Sequence, residues 1–310
     1  MATIREIRRR IRSVKNIAQV TRALEAVSAS KVRKAQAQVL ATRPYAQQAW
    51  EVLTSLALQA GAGASIHPLL AARPVRAVGL IVITGDRGLA GAYNFNVVRM
   101  TMEFIRAQTA PIQIVAVGRK GRELLIRARQ NVIAEFSNLS AAPTALEIGP
   151  ISRIVVDDFL AEKIDEVYVA YTDFISTLQQ KPAIKRLLPL SIEEGERVMA
   201  EYTAGAQAGR LTRRDYIYEP GREELLDVVI PRFVGLQVYQ AVLESLASEH
   251  SARMVAMRNA TDSALGLVGA LTLTYNKARQ QAITSELLDI AGGAEALKQA
   301  LARTPVPSVP

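Results

Sequence analysis

The chain has 310 residues, of which 49% are hydrophobic and 22% charged, and this composition is typical of a folded protein and excludes a disordered one. It has no cysteine, which excludes disulfides and thiolate metal sites, and its two histidines, His67 and His250, lack a metal-binding spacing. Residues 1–43 hold eleven basic and two acidic residues, which accounts for the whole net charge of +9. A charge confined to one segment favours an acidic partner: nucleic acid, anionic lipid or an acidic protein surface.

The N-terminal segment is predicted to form one long helix over residues 1–60. Its apolar residues follow a helical spacing, first at Ile4, Ile7, Ile11 and Val14 and then at Ile17, Val20, Leu24 and Val27. The short step from position 14 to 17 predicts a stammer, which overwinds a coiled coil locally. A kink is expected at Pro44, and the glycine-rich stretch 61–65 is expected to end the helix.

Residues 75–220 are predicted to form a Rossmann-like α/β domain with a mostly parallel sheet, because apolar strands alternate with helical segments. The predicted strands cover residues 78–84, 112–118, 132–136, 167–171 and 183–190, and the predicted helices cover 119–129 and 151–163. The polar residues 192–215 are expected to form a surface loop or linker.

The last helix is predicted over residues 223–301, followed by a flexible, proline-rich tail at 302–310. No apolar run approaches the ~20 residues of a membrane span. A heptad seam passes through Leu243, His250, Met257, Ala264 and Leu267 among other positions. At ~1.5 Å per residue the first helix spans ~90 Å and the last ~115 Å, which predicts an antiparallel two-helix coiled coil with an overhang of ~25 Å. Because a lone helix in water is marginal, this overhang should lie inside a partner.

Three sequence features were weighed as functional sites. Residues 84–94 follow a strand and precede a helix, but they contain neither GxGxxG nor GxxxxGK[ST], so we interpret them as a structural turn. The basic run 117–121 is interpreted as a solvated helix cap, with anion binding as the alternative. His250 lies near the helical seam and is interpreted as a core or interface residue with satisfied polar atoms. No catalytic residue, metal ligand or cofactor site is predicted.

Several longer stretches carry a family resemblance. They are residues 11–36, 247–262, 275–280 and 283–296, together with Asp86-Arg87-Gly88-Leu89 and Leu187-Leu188-Pro189-Leu190 in the middle of the chain. Over residues 1–298 the chain resembles the gamma subunit of F-type ATP synthase. Leu24 stands where some members have methionine, which should be benign, and Gly85 stands where serine is common, which we expect only to loosen that turn.

The resemblance implies a non-catalytic rotor that takes part in ATP synthesis and hydrogen ion transport. Its helices would form a shaft inside a hexamer of alpha and beta subunits, and its α/β domain would meet the epsilon subunit and the ring of c subunits. It would lie peripherally at the cytoplasmic face of the bacterial cell membrane, touching the membrane only through the complex, and bind no cofactor or nucleic acid. The partner-binding residues that the resemblance implies are Lys31, Arg33, Lys34, Arg279, Gln280, Thr284 and Glu286.

Two other functions remain as alternatives at this point. A coiled-coil protein that binds nucleic acid through its basic arm would explain the charge of residues 1–43, but it leaves the middle domain without a role. A dinucleotide-dependent enzyme would use the middle domain, but the glycine fingerprint of such enzymes is missing.

Overall fold

A computed structural model describes residues 3–58, 67–190 and 221–303. The chain divides into two compact units, Met1–Leu24 with Met257–Pro310, and Glu25–Ala256. The described elements are, in chain order, α1 (Ile4–Leu58), a 3-10 turn (Pro68–Leu70), β1 (Val78–Ile83), α2 (Tyr93–Ala107), β2 (Ile112–Val117), α3 (Arg119–Arg127), β3 (Val132–Phe136), α4 (Ala145–Leu160), β4 (Glu166–Phe174), β5 (Gln180–Leu188) and α5 (Arg222–Arg303).

The five strands form one sheet in the order β3-β2-β1-β4-β5. β1 to β4 pair in parallel and β5 joins the edge antiparallel to β4. Every residue of β1 is buried, as expected for a strand covered by helices on both faces. Ile81 and Ile83 belong to the core cluster that includes residues of α4 and α5, whereas Leu80 and Val82 belong to the cluster with residues of α2 and α3. The predicted α/β sheet is therefore confirmed.

The predicted strands all occur, with ends that differ by a few residues. The main difference is α4, which begins at Ala145 and not at residue 151. Its start is fixed by a capping box, in which the Glu147 N–H donates to Thr144 Oγ1 at 3.4 Å and the Thr144 N–H donates to Glu147 Oε2 at 3.3 Å. The threonine and the glutamate three residues later were visible in the sequence, so this start was predictable.

Both long helices contain a proline, Pro44 in α1 and Pro231 in α5, and both are assigned as continuous helix through it. Two features predicted from the sequence lie outside the described residues, the break at 61–65 and the linker at 192–215. The tail predicted at 302–310 begins too early, because α5 continues to Arg303, and its residues from 304 onward lie outside the described residues.

One helix of the described part, Glu224–Gln299, is long and apolar enough to cross a membrane by length and composition alone. Half of its most apolar window is buried inside the fold, as expected for the central helix of a packed core. The sequence shows no uninterrupted apolar run of this length because small and polar residues interrupt the apolar positions of the helix.

α1 and α5 pack on each other. In the unit Glu25–Ala256, the Trp50 and Phe233 rings lie 5.3 Å apart and Lys31 acts electrostatically on His250, so the two helices run antiparallel. In the unit formed by the chain ends, the hydroxyls of Thr21 and Thr261 form a buried hydrogen bond of 2.6 Å. The predicted antiparallel pairing of the terminal helices is thus present.

The face of α1 that forms this seam differs from the predicted face. Positions that are buried or half-buried recur in steps of four and three residues, at 7, 11, 14, 18, 21, 25, 28, 32 and 35. The heptad is therefore unbroken, and the predicted stammer is wrong. Ile17, Val20 and Val27, which the apolar spacing predicts in the seam, are 52%, 59% and 54% exposed. Small residues such as Ala18 fill the seam instead, because they allow the two helix backbones to approach closely.

On α5 the predicted seam holds along part of the helix. Leu243, His250, Met257 and Ala264 are buried, but Leu267 is 50% exposed. Full burial ends at Ala264, and half-buried positions continue along the described part of this helix in steps of four and three, at 268, 271, 275, 278 and 282.

Candidate functional site

The N-terminus of α3 is where a Rossmann-like sheet would bind an anion, and here the chain's own acceptors fill it. The N–H groups of Arg119, Lys120 and Gly121 donate to Asp86 Oδ1 at 3.0 Å, to the Gly85 carbonyl at 3.1 Å and to Thr84 Oγ1 at 3.0 Å. The first N–H groups of a helix are the ones that would otherwise bind a phosphate. The interpretation of residues 117–121 as a helix cap is therefore confirmed.

Close packing of the backbone holds this cap together. Gly118 has a φ of 96°, and a Cβ atom there would lie 2.2 Å from the Thr84 carbonyl oxygen. A Cβ on Gly121 would lie 2.4 Å from Thr84 Oγ1. Both glycines are thus required for β1 and α3 to approach each other.

The ligand crevice of an open α/β sheet lies at the carboxyl ends of the strands, where the strand order reverses; in this sheet that point is between β1 and β4. α5 fills it. Ser248 Oγ donates to the Thr172 carbonyl at 3.2 Å, and Ser245 Oγ shares a hydrogen bond of 2.8 Å with the Tyr93 hydroxyl. A small cavity beside Ile83, Val117 and Phe136, at the carboxyl ends of β1, β2 and β3, has a volume of about 40 Å³, far below the several hundred Å³ of an ordinary ligand pocket. Described residues of the chain thus occupy the crevice in which a dinucleotide would bind.

Burial raises the pKa of the Tyr93 hydroxyl well above its ordinary value, and the nearby Glu249 carboxylate raises it further. Tyr93 therefore stays protonated and serves as a fixed hydrogen-bonding group between α2 and α5.

The loop after β1, residues 84–92, is attached to α5 mainly by Arg253. The guanidinium forms a short ion pair with Glu249 and donates from Nε and Nη2 to the Gly88 carbonyl, each at 3.3 Å. The Glu249 carboxylate lies against Gly85, where a Cβ atom would be 2.7 Å from Glu249 Cδ. Gly85 therefore does more than loosen the turn, since it makes room for this carboxylate.

Asp86 ties the same loop to the sheet edge. In addition to its bond from Arg119, its Oδ2 accepts the Asn138 N–H at 2.8 Å. The Gly85 N–H donates to Asn94 Oδ1 at 2.8 Å at the start of α2. Residues 84–92 are thus the structural turn that the sequence predicted, joined to β1, α2, α3 and α5.

His250 occupies a buried position next to this loop and is only 6% exposed. Its Nδ1 lies 3.3 Å from Arg253 Nη1 and accepts that hydrogen bond, whereas its Nε2 has no hydrogen-bond partner. The prediction of satisfied polar atoms is therefore wrong. Burial lowers the pKa of His250 to about 4, and the charges of Arg253 and Lys31 contribute to the shift. The side chain is neutral at physiological pH.

The residues predicted to bind partners fall into two groups. On α1, Lys31 is half-buried and faces His250, while Arg33 and Lys34 are exposed. On the distal part of α5 the predicted residues are all exposed, and the Thr284 hydroxyl donates to the Gln280 carbonyl at 2.9 Å. The members of this second group are Arg279, Gln280, Thr284 and Glu286.

Apolar side chains form the surface that sequence reasoning did not single out. From residue 283 to 299 every described side chain of α5 is exposed, including several large apolar ones. The exposed fractions of the largest are Leu287 61%, Leu288 67%, Ile290 69% and Leu297 64%. A contiguous exposed apolar surface of this kind is typical of a site that a partner covers. The half-buried positions of α5 end at residue 282, directly before this surface.

The geometry defines a class of protein. A sheet whose ligand crevice is filled by its own helix, and a long helix whose end exposes leucines, are features of an assembly subunit and not of a nucleotide-dependent enzyme.

Comparisons with known proteins specify the family. A sequence model of the family described as ATP synthase matches residues 3–297. The ATP synthase gamma chain of Dehalococcoides mccartyi (strain CBDB1) is 50% identical over 297 residues, covering 96% of this chain and 100% of the relative. The gamma chain of Roseiflexus castenholzii is 50% identical over 305 residues, with the same coverage of both chains. The chain belongs to the ATP synthase gamma chain family, whose members are non-catalytic stalk subunits.

Solved structures agree on the fold. A chain from the Euglena gracilis mitochondrial ATP synthase, in a structure of OSCP, F1 and the c-ring, superimposes with a TM-score of 0.63 at 22% identity, covering 99% of this chain and 98% of that one. A chain from the central stalk and c-ring of the Tetrahymena thermophila mitochondrial enzyme gives a TM-score of 0.58 at 23% identity, covering 78% and 99%.

Proposed function

We propose that this chain is the rotating central shaft of the F1 part of a proton-translocating ATP synthase. Rotation of a ring in the membrane would turn the shaft, and the shaft would change the conformation of catalytic sites that lie on beta subunits. The observation that carries this proposal is the exposed distal part of α5. A helix that exposes so many leucines to water is only marginally stable, so it requires a partner that surrounds it.

The shaft acts by differential contact. Its cross-section is asymmetric, so each of several identical catalytic subunits meets a different face and is biased towards a different conformation. In this scheme the partners are the hexamer of alpha and beta subunits, the epsilon subunit and the ring of c subunits. The Euglena structure contains F1 and the c-ring, and the Tetrahymena structure contains the central stalk and the c-ring, which supports this set of partners.

The domain roles follow from the same proposal. Residues 1–60 and 223–301 contribute the two shaft helices, and residues 75–220 contain the α/β domain that meets the ring side of the complex. The complex is attached to a membrane, and the bacterial relatives support a peripheral position at the cytoplasmic face of the cell membrane.

The proposed partner-binding residues are of two kinds. Lys31, Arg33 and Lys34 place positive charge on α1, which suits acidic segments of the catalytic subunits. The polar residues near the tip of α5 would contact loops of the same subunits, next to the exposed leucines. These are Arg279, Gln280, Thr284 and Glu286.

The test is assembly and coupling. The chain is expressed with its neighbouring ATP synthase subunits, and ATP hydrolysis and ATP-driven proton uptake are measured in membrane vesicles. The double variant Arg33→Glu/Lys34→Glu should lower proton uptake roughly threefold or more, since it reverses two exposed charges of an interface. The matched control Arg99→Glu/Arg106→Glu reverses two exposed charges on α2 and should leave uptake near the wild-type value.

Other outcomes would refute the proposal. The exposed arginines of residues 5–12 allow the nucleic-acid-binding alternative. That alternative would be favoured if the chain bound duplex DNA at physiological salt and never co-purified with alpha and beta subunits. Sustained ATP hydrolysis by the rigorously purified chain alone would contradict a non-catalytic shaft.

Deletion of residues 280–310 should abolish coupling while leaving the sheet folded.

A further inference from the structure

We propose that Arg253 is the positioning residue that fastens the α/β domain to the shaft helix α5, so that the two turn together. This inference rests on the proposed rotor function. It concerns a position inside the subunit and not a contact with any partner.

The first observation is the convergence of contacts at the guanidinium. Arg253 donates twice to the Gly88 carbonyl and more weakly to the Arg87 carbonyl at 3.5 Å, while it pairs with Glu249 on its own helix. Its side chain is only 12% exposed and that of Glu249 is 9% exposed. A planar guanidinium with several donors can satisfy a carboxylate and a backbone carbonyl at the same time, which a lysine cannot do.

The second observation is that the gripped segment is strained. Leu89 follows Gly88 directly and has a φ of 64°, the left-handed region that a leucine rarely adopts. The Leu89 side chain is 66% exposed, so burial of that side chain does not hold the backbone in place. Such a conformation persists only when surrounding contacts impose it. The bonds from Arg253 to the preceding peptide are contacts of this kind.

The third observation is that the segment leads into the whole sheet. On one side of Gly88, Asp86 accepts hydrogen bonds from the first residue of α3 and from Asn138 after β3. On the same side the Gly85 N–H donates to Asn94 in the first turn of α2. A force applied to the sheet therefore reaches Gly88 through a rigid loop. From there Arg253 passes it to α5 through charge-assisted bonds at one point of the helix.

The core that α5 shares with β1, β4 and α4, together with its seryl contacts, holds the helix on the sheet, whereas Arg253 resists sliding of the helix along the loop at residues 84–92. Loss of the guanidinium should let this loop and the helix slip past each other under load. Slip lowers the work delivered per turn more than it lowers the turnover of ATP by the catalytic subunits.

The experiment uses the complete ATP synthase assembled with this chain in vesicles, and compares Arg253→Gln with the wild-type chain. The measured quantity is the ratio of ATP-driven proton uptake to ATP hydrolysis in the same preparation. We expect the ratio to fall about threefold or more for Arg253→Gln, within the range by which single residues modulate coupling. Arg106→Gln, an exposed arginine on α2, is the control and should keep the wild-type ratio.

A second readout separates positioning from simple loss of folding. Hydrogen exchange of the amides at residues 87–90 should become about tenfold faster in Arg253→Gln, while amides in β1 and β2 keep their protection. Arg253→Lys keeps the ion pair with Glu249 but loses the two guanidinium hydrogen bonds to the Gly88 carbonyl. Its ratio of proton uptake to ATP hydrolysis should therefore lie between those of the wild type and Arg253→Gln. If Arg253→Gln fails to assemble, the same ratio measured for Arg253→Lys and the wild type tests the inference.

An unchanged ratio together with unchanged exchange at residues 87–90 would overturn the inference. So would a parallel fall of hydrolysis and proton uptake, because a purely structural role predicts that result. Absence of proton uptake with the wild-type chain would instead refute the proposed function, and the two failures are therefore distinguishable.

Discussion

Arg73 offers the sharpest test of how the α/β domain is held together. Its Nε donates to Asp165 Oδ1 at 2.7 Å, its Nη2 donates to the Phe159 and Ile164 carbonyls, and the guanidinium lies 4.4 Å from the centre of the Phe159 ring. The Asp165 side chain is 1% exposed and that of Arg73 is 21% exposed. Removal of one partner from such a pair leaves a buried charge without compensation, which costs about 3–5 kcal/mol.

The variant Arg73→Met keeps most of the side-chain volume and removes the charge. We expect the free energy of unfolding to fall by about 3 kcal/mol, the lower end of that range, because Asp165 keeps two backbone donors. These are the N–H groups of Arg76 at 2.7 Å and Ala77 at 3.2 Å.

Arg76 supplies the matched control. Its guanidinium also approaches Asp165, at 3.7 Å, but its side chain is 69% exposed. An exposed ion pair is worth about 1 kcal/mol at most, so Arg76→Met should cost far less than Arg73→Met. The contrast between the two arginines tests burial and not merely charge.

The assay is urea unfolding of the full chain followed by the fluorescence of Trp50, the only tryptophan, which is buried in the same core cluster as Phe159. Burial by itself raises the pKa of Asp165, but bonds from the backbone N–H groups of Arg76 and Ala77 and from Arg73 outweigh it and leave that pKa lowered. Its stabilising contribution is therefore lost as the pH falls below the ordinary range of aspartate, and Arg73→Met should move acid unfolding to higher pH. Equal losses for the two methionine variants would refute this reasoning.

Three further predictions concern stability. His250 has a pKa of about 4 in the folded chain against 6.5 when unfolded, so between these pH values the unfolded chain binds more protons than the folded chain. The free energy of unfolding should therefore fall by up to roughly 3 kcal/mol as the pH drops through this window. His250→Leu should remove this pH dependence in urea titrations at several pH values. Gly118→Ala should lower the melting temperature sharply because its Cβ would collide with a backbone carbonyl, whereas Gly149→Ala, with open space around its Cβ in a helix, should stabilise by about 0.5–1 kcal/mol. Thr21→Val and Thr261→Val should each cost about 1 kcal/mol, and the double variant less than the sum, as measured by thermal unfolding.

The sequence predicted the sheet well because its central strands are unbroken apolar runs. β1 and β2 need no partner to be recognised, since each is apolar at nearly every position and is followed by a glycine-containing turn. The predicted start of α4 is six residues late because it rests on apolar periodicity alone. The capping residues Thr144 and Glu147 indicate the true start.

The seam of α1 shows a physical limit of such patterns. Large apolar residues at Ile17, Val20 and Val27 suggested a buried face, yet the helices meet through Ala18 and Thr21. In an isolated two-helix structure the large residues would be the buried ones. A helix that also meets a partner has two apolar faces, and composition alone does not tell which face the chain itself covers.

The filled crevice between β1 and β4 was beyond sequence reasoning for a different reason. The groups that fill it are Tyr93 and, 152 residues later, Ser245 with its neighbour Ser248, and they have no motif in common. Their consequence is nevertheless functional. A Rossmann-like sheet that retained an open crevice would place a hinge between sheet and shaft at the point where torque must pass. With α5 seated there, and Arg253 holding the adjacent loop, the same position becomes a joint, which explains how a Rossmann-like architecture can serve a non-catalytic stalk subunit.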